Sequence, residues 1–150
     1  MTTTLGVTGV RKLTAEQAVQ VSRKVKALDR QGTTWHIGDA EGVDKVARET
    51  VAEGKQVEHH AEGRQPWQLA ARSTKLVQAL AESGGTLHAW ASTPAPEGLK
   101  PCKRWKNAQG SGTWGTVALA VGMGVKVELH WLTESQEEPD WMGNRQLTLV

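Results

Sequence analysis

What most constrains this sequence is a change of hydrophobic period that repeats along its length. Short β-prone runs alternate with stretches whose apolar residues return at helical spacing. Residues 5–8 are an apolar run closed by Gly9, and Thr14 and Gln17 then stand at the spacing of a capping box. Behind them Ala18, Val21, Val25 and Leu28 mark one face of a helix expected to reach about Gln31, where Gly32 stops it. Trp35 and Ile37 alternate as in a strand, the chain turns through Gly38 and Gly42, and Val43, Val46 and Ala47 resume the helical period, with Gly54 placed as that helix's C-terminal glycine. Residues 55–60 read as a third strand. Pro66 opens a helix carrying Leu69, Ser73, Leu76, Val77 and Leu80 inward, and Gly84 and Gly85 end it. Residues 86–91 alternate Leu87 with Ala89, a helix over 113–123 sets Val117, Ala120 and Val121 on one side, and a last strand aligns Val125, Val127, Leu129 and Trp131. Strands joined by connections of helix length predict an α/β fold: a mainly parallel sheet of five or six strands, covered by helices on both faces.

The 150 residues suit one domain with a sizeable core, expected over 1–132, followed by an acidic linker and a C-terminal arm or edge strand over 133–150. No apolar run approaches the ~20 residues of a bilayer span, so no membrane association is expected. The first residues lack the basic start and apolar centre of a secretory leader. A single Cys102 excludes an intrachain disulfide and a multi-cysteine zinc site, and makes the cytoplasm the simplest setting. The net charge of +2 conceals a split, because residues 1–131 hold 17 Lys or Arg against 12 Asp or Glu and the last 19 hold one against four. A mildly basic body suits an anionic partner. His36, His59, His60, His88 and His130 all fall in strands, where neighbours point to opposite faces, and no metal site is expected. Seven Trp with no Phe or Tyr are assigned mostly to core filling, with Trp105 and Trp114 the exceptions to watch.

Ligands of open parallel sheets bind at the carboxyl ends of the strands. Three glycine-bearing turns are expected at those ends: Gly6, Val7, Thr8 and Gly9 after the first strand; Gly38, Asp39, Ala40, Glu41 and Gly42 after the second; and Gly110, Ser111, Gly112 and Thr113 before the last helix. Glycine lets phosphate oxygens approach backbone amides, and Ser or Thr adds a donor near a positive helix end. Neither a Walker pattern nor a GxGxxG after the first strand is present, which argues against P-loop hydrolysis and an ordinary dinucleotide dehydrogenase. Residues 92–112 form a long irregular segment of the kind that is usually functional or mobile, and carry Lys100, Lys103, Arg104 and Lys106 around Trp105.

The run Gly-Val-Thr-Gly-Val-Arg, the turn His-Ile-Gly-Asp-Ala-Glu-Gly-Val-Asp, Ala71-Arg72-Ser73 in the third helix and Gly110-Ser111-Gly112-Thr113 together resemble the SLOG superfamily over residues 5–131. That superfamily of Rossmann-like, three-layer domains includes DNA-processing protein A and the LOG-type cytokinin-activating proteins. The resemblance implies a nucleotide or nucleotide-derived ligand at the three turns, and a dimer or higher oligomer. Residue by residue it carries over to Gly6, Thr8, Gly9 and Arg11, to Gly38, Ala40, Gly42 and Asp44, and to Arg72. Asp39 and Glu41 stand where relatives carry a glycine and a basic residue, and Ser73 replaces an Asn. Thr116 replaces the glutamate of the LOG enzymes, and a hydroxyl supplies neither the negative charge nor the titratable proton of that chemistry.

The expected function is therefore binding of a nucleotide or ADP-ribose-like ligand, as a sensor or carrier. Its expected contacts are Gly6, Thr8, Gly9, Arg11, Gly38, Asp39, Ala40, Gly42, Asp44, Arg72, Gly110, Ser111, Gly112, Thr113, Trp114 and Thr116, with no resident cofactor. A first alternative is nucleotide hydrolysis with Asp39, Glu41 or Asp44 as the acid. A second is single-stranded DNA binding through Lys100, Lys103, Arg104 and Lys106.

Overall fold

In a computed structural model the structure describes residues 2–134 and 136–142; the arm expected over 146–150 lies outside them. In chain order the elements are β1 (Thr3–Gly9), α1 (Ala15–Leu28), β2 (Thr33–Gly38), α2 (Val43–Thr50), a 3-10 turn (Glu53–Lys55), β3 (Gln56–His59), α3 (Pro66–Ser83), β4 (Thr86–Ala91), α4 (Gly112–Gly122) and β5 (Lys126–Trp131). The five strands are all parallel, in the order β3-β2-β1-β4-β5. The winding runs outward from β1 to β3, then returns to the other side of β1 with β4. That reversal opens a crevice at the carboxyl ends of β1 and β4.

Each face of the sheet has its own core. Leu5, Val7, Trp35, Ile37 and Trp90 meet Val21 and Val25 of α1 and Val43 and Ala47 of α2. On the other face Leu87, Ala89 and Val127 meet Leu76, Val77 and Leu80 of α3 and Val117, Leu119 and Ala120 of α4. Gly6 lies inside β1 and lets α3 approach, since a Cβ there would stand 2.5 Å from Leu80 Cδ1. The expected capping box forms at the start of α1, where Thr14 Oγ1 accepts from the Gln17 amide and Gln17 Oε1 from the Thr14 amide.

Two helix ends differ from the sequence reading. The first helix stops at Leu28, because Asp29 adopts an extended conformation and accepts from Trp35 Nε1 at 3.0 Å and Lys55 Nζ. The second stops at Thr50, four residues short of Gly54: Val51 is extended and buried, and Gln56 Nε2 donates to the carbonyls of Arg48 and Val51. Tertiary contacts outweigh the local glycine signal in both places.

The segment between β4 and α4 is laid along α4. The Cys102 amide donates to the Ala118 carbonyl, Ala108 is buried, and the Trp105 ring lies over Gly115, where a Cβ would stand 2.6 Å from Cη2. Beyond β5 the chain folds back over the same segment. Trp141 Nε1 donates to the Leu99 carbonyl at 2.9 Å and Met142 is buried in the α4 core. Among the described residues no helix is long and apolar enough to cross a membrane.

Candidate functional site

The second turn is built from its charged residues. Arg48, in the last turn of α2, donates to the carbonyls of Gly38 at 2.8 Å and Ala40 at 2.9 Å. Asp44, in the first turn of α2, is buried directly beneath the loop and accepts from the Ala40 amide at 3.3 Å. Burial pushes the Asp44 carboxyl up to about 6, against the opposing pull of Arg72, the Ala40 amide and Arg48. Asp39 points the other way: its Oδ1 accepts from Arg72 Nη1 at 2.8 Å and its Oδ2 from the Ala61 amide at 3.1 Å. Partial burial would raise this carboxyl, but the Arg72 and Ala61 hydrogen bonds and the guanidinium charge outweigh it and hold it below the ordinary value.

The first turn is locked onto the second. Gly42 has φ 75°, and a Cβ there would run into the Val10 carbonyl oxygen and the Arg11 backbone. The close approach lets the Val43 amide, the first of α2, donate to the Val10 carbonyl at 3.0 Å. So the amides of Ala40 and Val43, which a phosphate would need, are used within the protein.

The third turn stays open to the crevice. Gln109 has φ 53°, the Gly110 amide donates to Asn107 Oδ1, the Ser111 amide to the Ala108 carbonyl, and the Trp114 amide to Ser111 Oγ as the cap of α4. Gly112 and Thr113 then begin α4, at positions whose amides have no partner within a helix. In front of them lies a cavity of about 590 Å³, walled by Arg11 from the first turn, Pro66, Trp67, Leu69, Ala70, Arg72 and Ser73 from α3, and Trp105, Asn107, Gly110, Ser111 and Gly112.

Of the residues expected from sequence, the cavity thus gathers Arg11, Arg72, Gly110, Ser111 and Gly112. The others lie elsewhere. Gly6 is inside β1, Thr8 and Gly9 end it, and Gly38, Asp39, Ala40, Gly42 and Asp44 form the locked network behind the cavity. Thr113 is buried at the start of α4. Trp114 is 1% exposed and donates through Nε1 to the Thr93 carbonyl, so its ring belongs to the core and not to a stacking surface. Thr116 is buried and donates to the Gly112 carbonyl at 2.7 Å. Glu41 is exposed on the outer side, 4.0 Å from Lys45.

Sequence reading did not single out Trp67 or Asn107 as cavity residues. Trp67 carried a usable signal, since at 100° per residue it falls roughly 120° from the centre of the apolar stripe of α3. A tryptophan so far out of phase is not needed by the core. Among the described residues no group of three or more His, Cys, Asp or Glu is placed to hold a metal ion.

The fold and its crevice are those of a Rossmann-like α/β protein. The chain is similar in structure to DNA processing protein A from Helicobacter pylori, a protein with a described single-stranded DNA binding mode. The TM-score is 0.63 at 15% sequence identity, over 97% of this chain and 72% of that one. No protein-family model matches the sequence, and no curated protein matches it.

Proposed function

We propose that this chain binds a nucleotide or nucleotide-derived, ADP-ribose-like anion in the crevice between β1 and β4, as a sensor or carrier. The observation that carries the reading is the composition of the cavity. Two guanidinium groups, two indoles and the positive end of α4 share about 590 Å³, with no Asp, Glu, His or Cys in its walls among the described residues. Cations and a helix end suit phosphate, indoles suit a base, and walls whose described residues offer Ser73 and Ser111 no carboxylate or imidazole as a general base favour binding over hydrolysis. The SLOG resemblance supports the same ligand class through Arg11, Arg72 and residues 110–112, the part of it that lines the cavity. Because Arg72 is already bound to Asp39, Arg11 and the Gly112 end of α4 are assigned most of the phosphate attraction.

The test is calorimetry of the full chain with adenosine 5′-monophosphate, ADP-ribose and ATP, beside mass spectrometry of whatever co-purifies. Binding by at least one of them, weakened about tenfold or more by Arg11→Ala or Gly112→Val, is expected. No binding by any of the three and no co-purifying nucleotide overturns the reading. Release of free base or phosphate during incubation would revive the hydrolase alternative and require a role for Asp39, Glu41 or Asp44.

A second reading, single-stranded DNA binding, is favoured by one observation: Lys100, Lys103, Arg104 and Lys106 are all exposed beside the cavity wall formed by Trp105 and Asn107. The structural likeness to DNA processing protein A supports it. Affinity for an oligonucleotide that falls steeply between low and high salt separates this reading from small-ligand binding.

A further inference from the structure

Trp67 is 68% exposed, the most exposed large apolar side chain among the described residues. The other six tryptophans are buried or half-buried, and three of them donate their indole N–H within the protein, Trp35 to Asp29, Trp114 to Thr93 and Trp141 to Leu99. The Trp67 indole makes no hydrogen bond or ring contact among the described residues. The Trp67 backbone is held at the start of α3, where Pro66 occupies the first turn and Gln68 Oε1 accepts from the Gln65 amide. Trp67 lines the 590 Å³ cavity and, with Arg72, also a depression of about 90 Å³ beside His60, Glu62, Gln68 and Lys75.

We infer that Trp67 is the base platform of this site: it stacks on the heteroaromatic base of a ligand whose phosphate lies toward Arg11 and the start of α4. The inference rests on the nucleotide reading above and adds the residue that separates a nucleotide from a bare sugar phosphate. The occupant follows from the cavity's chemistry. A purely apolar partner would leave Arg11 and the open end of α4 facing it without an anion, since Arg72 alone of the three is already paired, with Asp39, and a bare phosphate would leave the indole in water. A base joined to a phosphate satisfies both. Trp105, held across Gly115, supplies a second indole to the same cavity.

The test measures adenosine 5′-monophosphate and ribose 5-phosphate by calorimetry against the full chain, its Trp67→Ala and Trp67→Phe variants, and Arg11→Ala as a phosphate control. The native chain is expected to bind the nucleotide more tightly than the sugar phosphate. Trp67→Ala should weaken the nucleotide about tenfold or more, as loss of one aromatic stack does, leave ribose 5-phosphate unchanged, and keep the native melting temperature. Trp67→Phe should fall between, while Arg11→Ala should weaken both ligands. If Trp67→Ala binds the nucleotide as tightly as the native chain, the inference is overturned and the nucleotide reading stands. If the native chain binds neither ligand, both fall. If Trp67→Ala instead disperses an oligomer with unchanged nucleotide affinity, Trp67 is a contact between copies and the inference is overturned.

Discussion

Asp44 is the residue whose environment is least expected from its type. It is 7% exposed, and its carboxyl is raised from 3.8 to about 6 chiefly by burial. A raised carboxyl favours the folded state while it stays protonated, below about pH 4, and that contribution is lost as pH rises through 6. The shift corresponds to roughly 3 kcal/mol. Asp44→Asn keeps an acceptor for the Ala40 amide but cannot ionise. Its stability relative to the native chain should therefore rise by up to about 3 kcal/mol between pH 4 and pH 7, measured by urea unfolding; a difference independent of pH would show that the carboxylate is not penalised. Gly42 makes a second residue-scale case. With φ at 75° and backbone atoms of Val10 and Arg11 where a Cβ would go, Gly42→Ala should destabilise by at least about 2 kcal/mol. It should also detach Arg11 from its place in the cavity, which a wider urea-induced loss of ligand affinity than of fold would report.

Among the elements, neighbouring strands are coupled by histidine pairs. His36 Nδ1 lies 2.8 Å from His59 Nε2 between β2 and β3, and His88 Nδ1 lies 2.9 Å from His130 Nε2 between β4 and β5. Burial first, and then the charge of the partner histidine, pushes His59 and His130 down to about 4. Histidines with depressed values stabilise the fold fully above pH 6.5, and that stability is lost as pH falls toward 4, the opposite sense to Asp44. His130→Gln should make the fall in melting temperature between pH 6.5 and pH 4 shallower, and an unchanged slope would count against the pair. At this scale the sequence was informative but incomplete. The alternation of strands and helices followed from period together with the capping-box, Pro66 and glycine-stop signals, because a strand or helix must keep one face apolar to be buried. The ends of α1 and α2 did not, because Asp29 and Val51 are fixed by Trp35, Lys55 and Gln56, partners distant in the chain.

For the molecule as a whole, the sheet order places the start of α4, the first turn of α3 and Arg11 around one crevice, although they are far apart in sequence. The proposed nucleotide, with its base at Trp67 and its phosphate at Arg11 and the start of α4, is expected to touch all three. Adenosine 5′-monophosphate should therefore slow amide hydrogen exchange together in peptides covering residues 10–13, 66–73 and 107–114, with little change over 39–44, where the Ala40 and Val43 amides are already bonded internally. Protection centred on 39–44 would move the ligand to the second turn and overturn the assignment of the cavity.

Period and turn residues by themselves determined a parallel α/β sheet and pointed to the glycine turns at 38–42 and 110–113. Those are local properties, legible wherever a residue's role depends on its near neighbours. Arg11 and Arg72 came from the resemblance to the SLOG superfamily, and the expected turn over 6–9 lies within β1. Only the tertiary structure decided which turns remain open. Val10 folds onto the start of α2, Asp44 and Arg48 fill the second turn from behind, Trp114 turns into the core, and Trp67 is left facing solvent. Each of those outcomes depends on which distant group arrives first at a polar atom or an apolar surface, and spacing along one chain does not encode it.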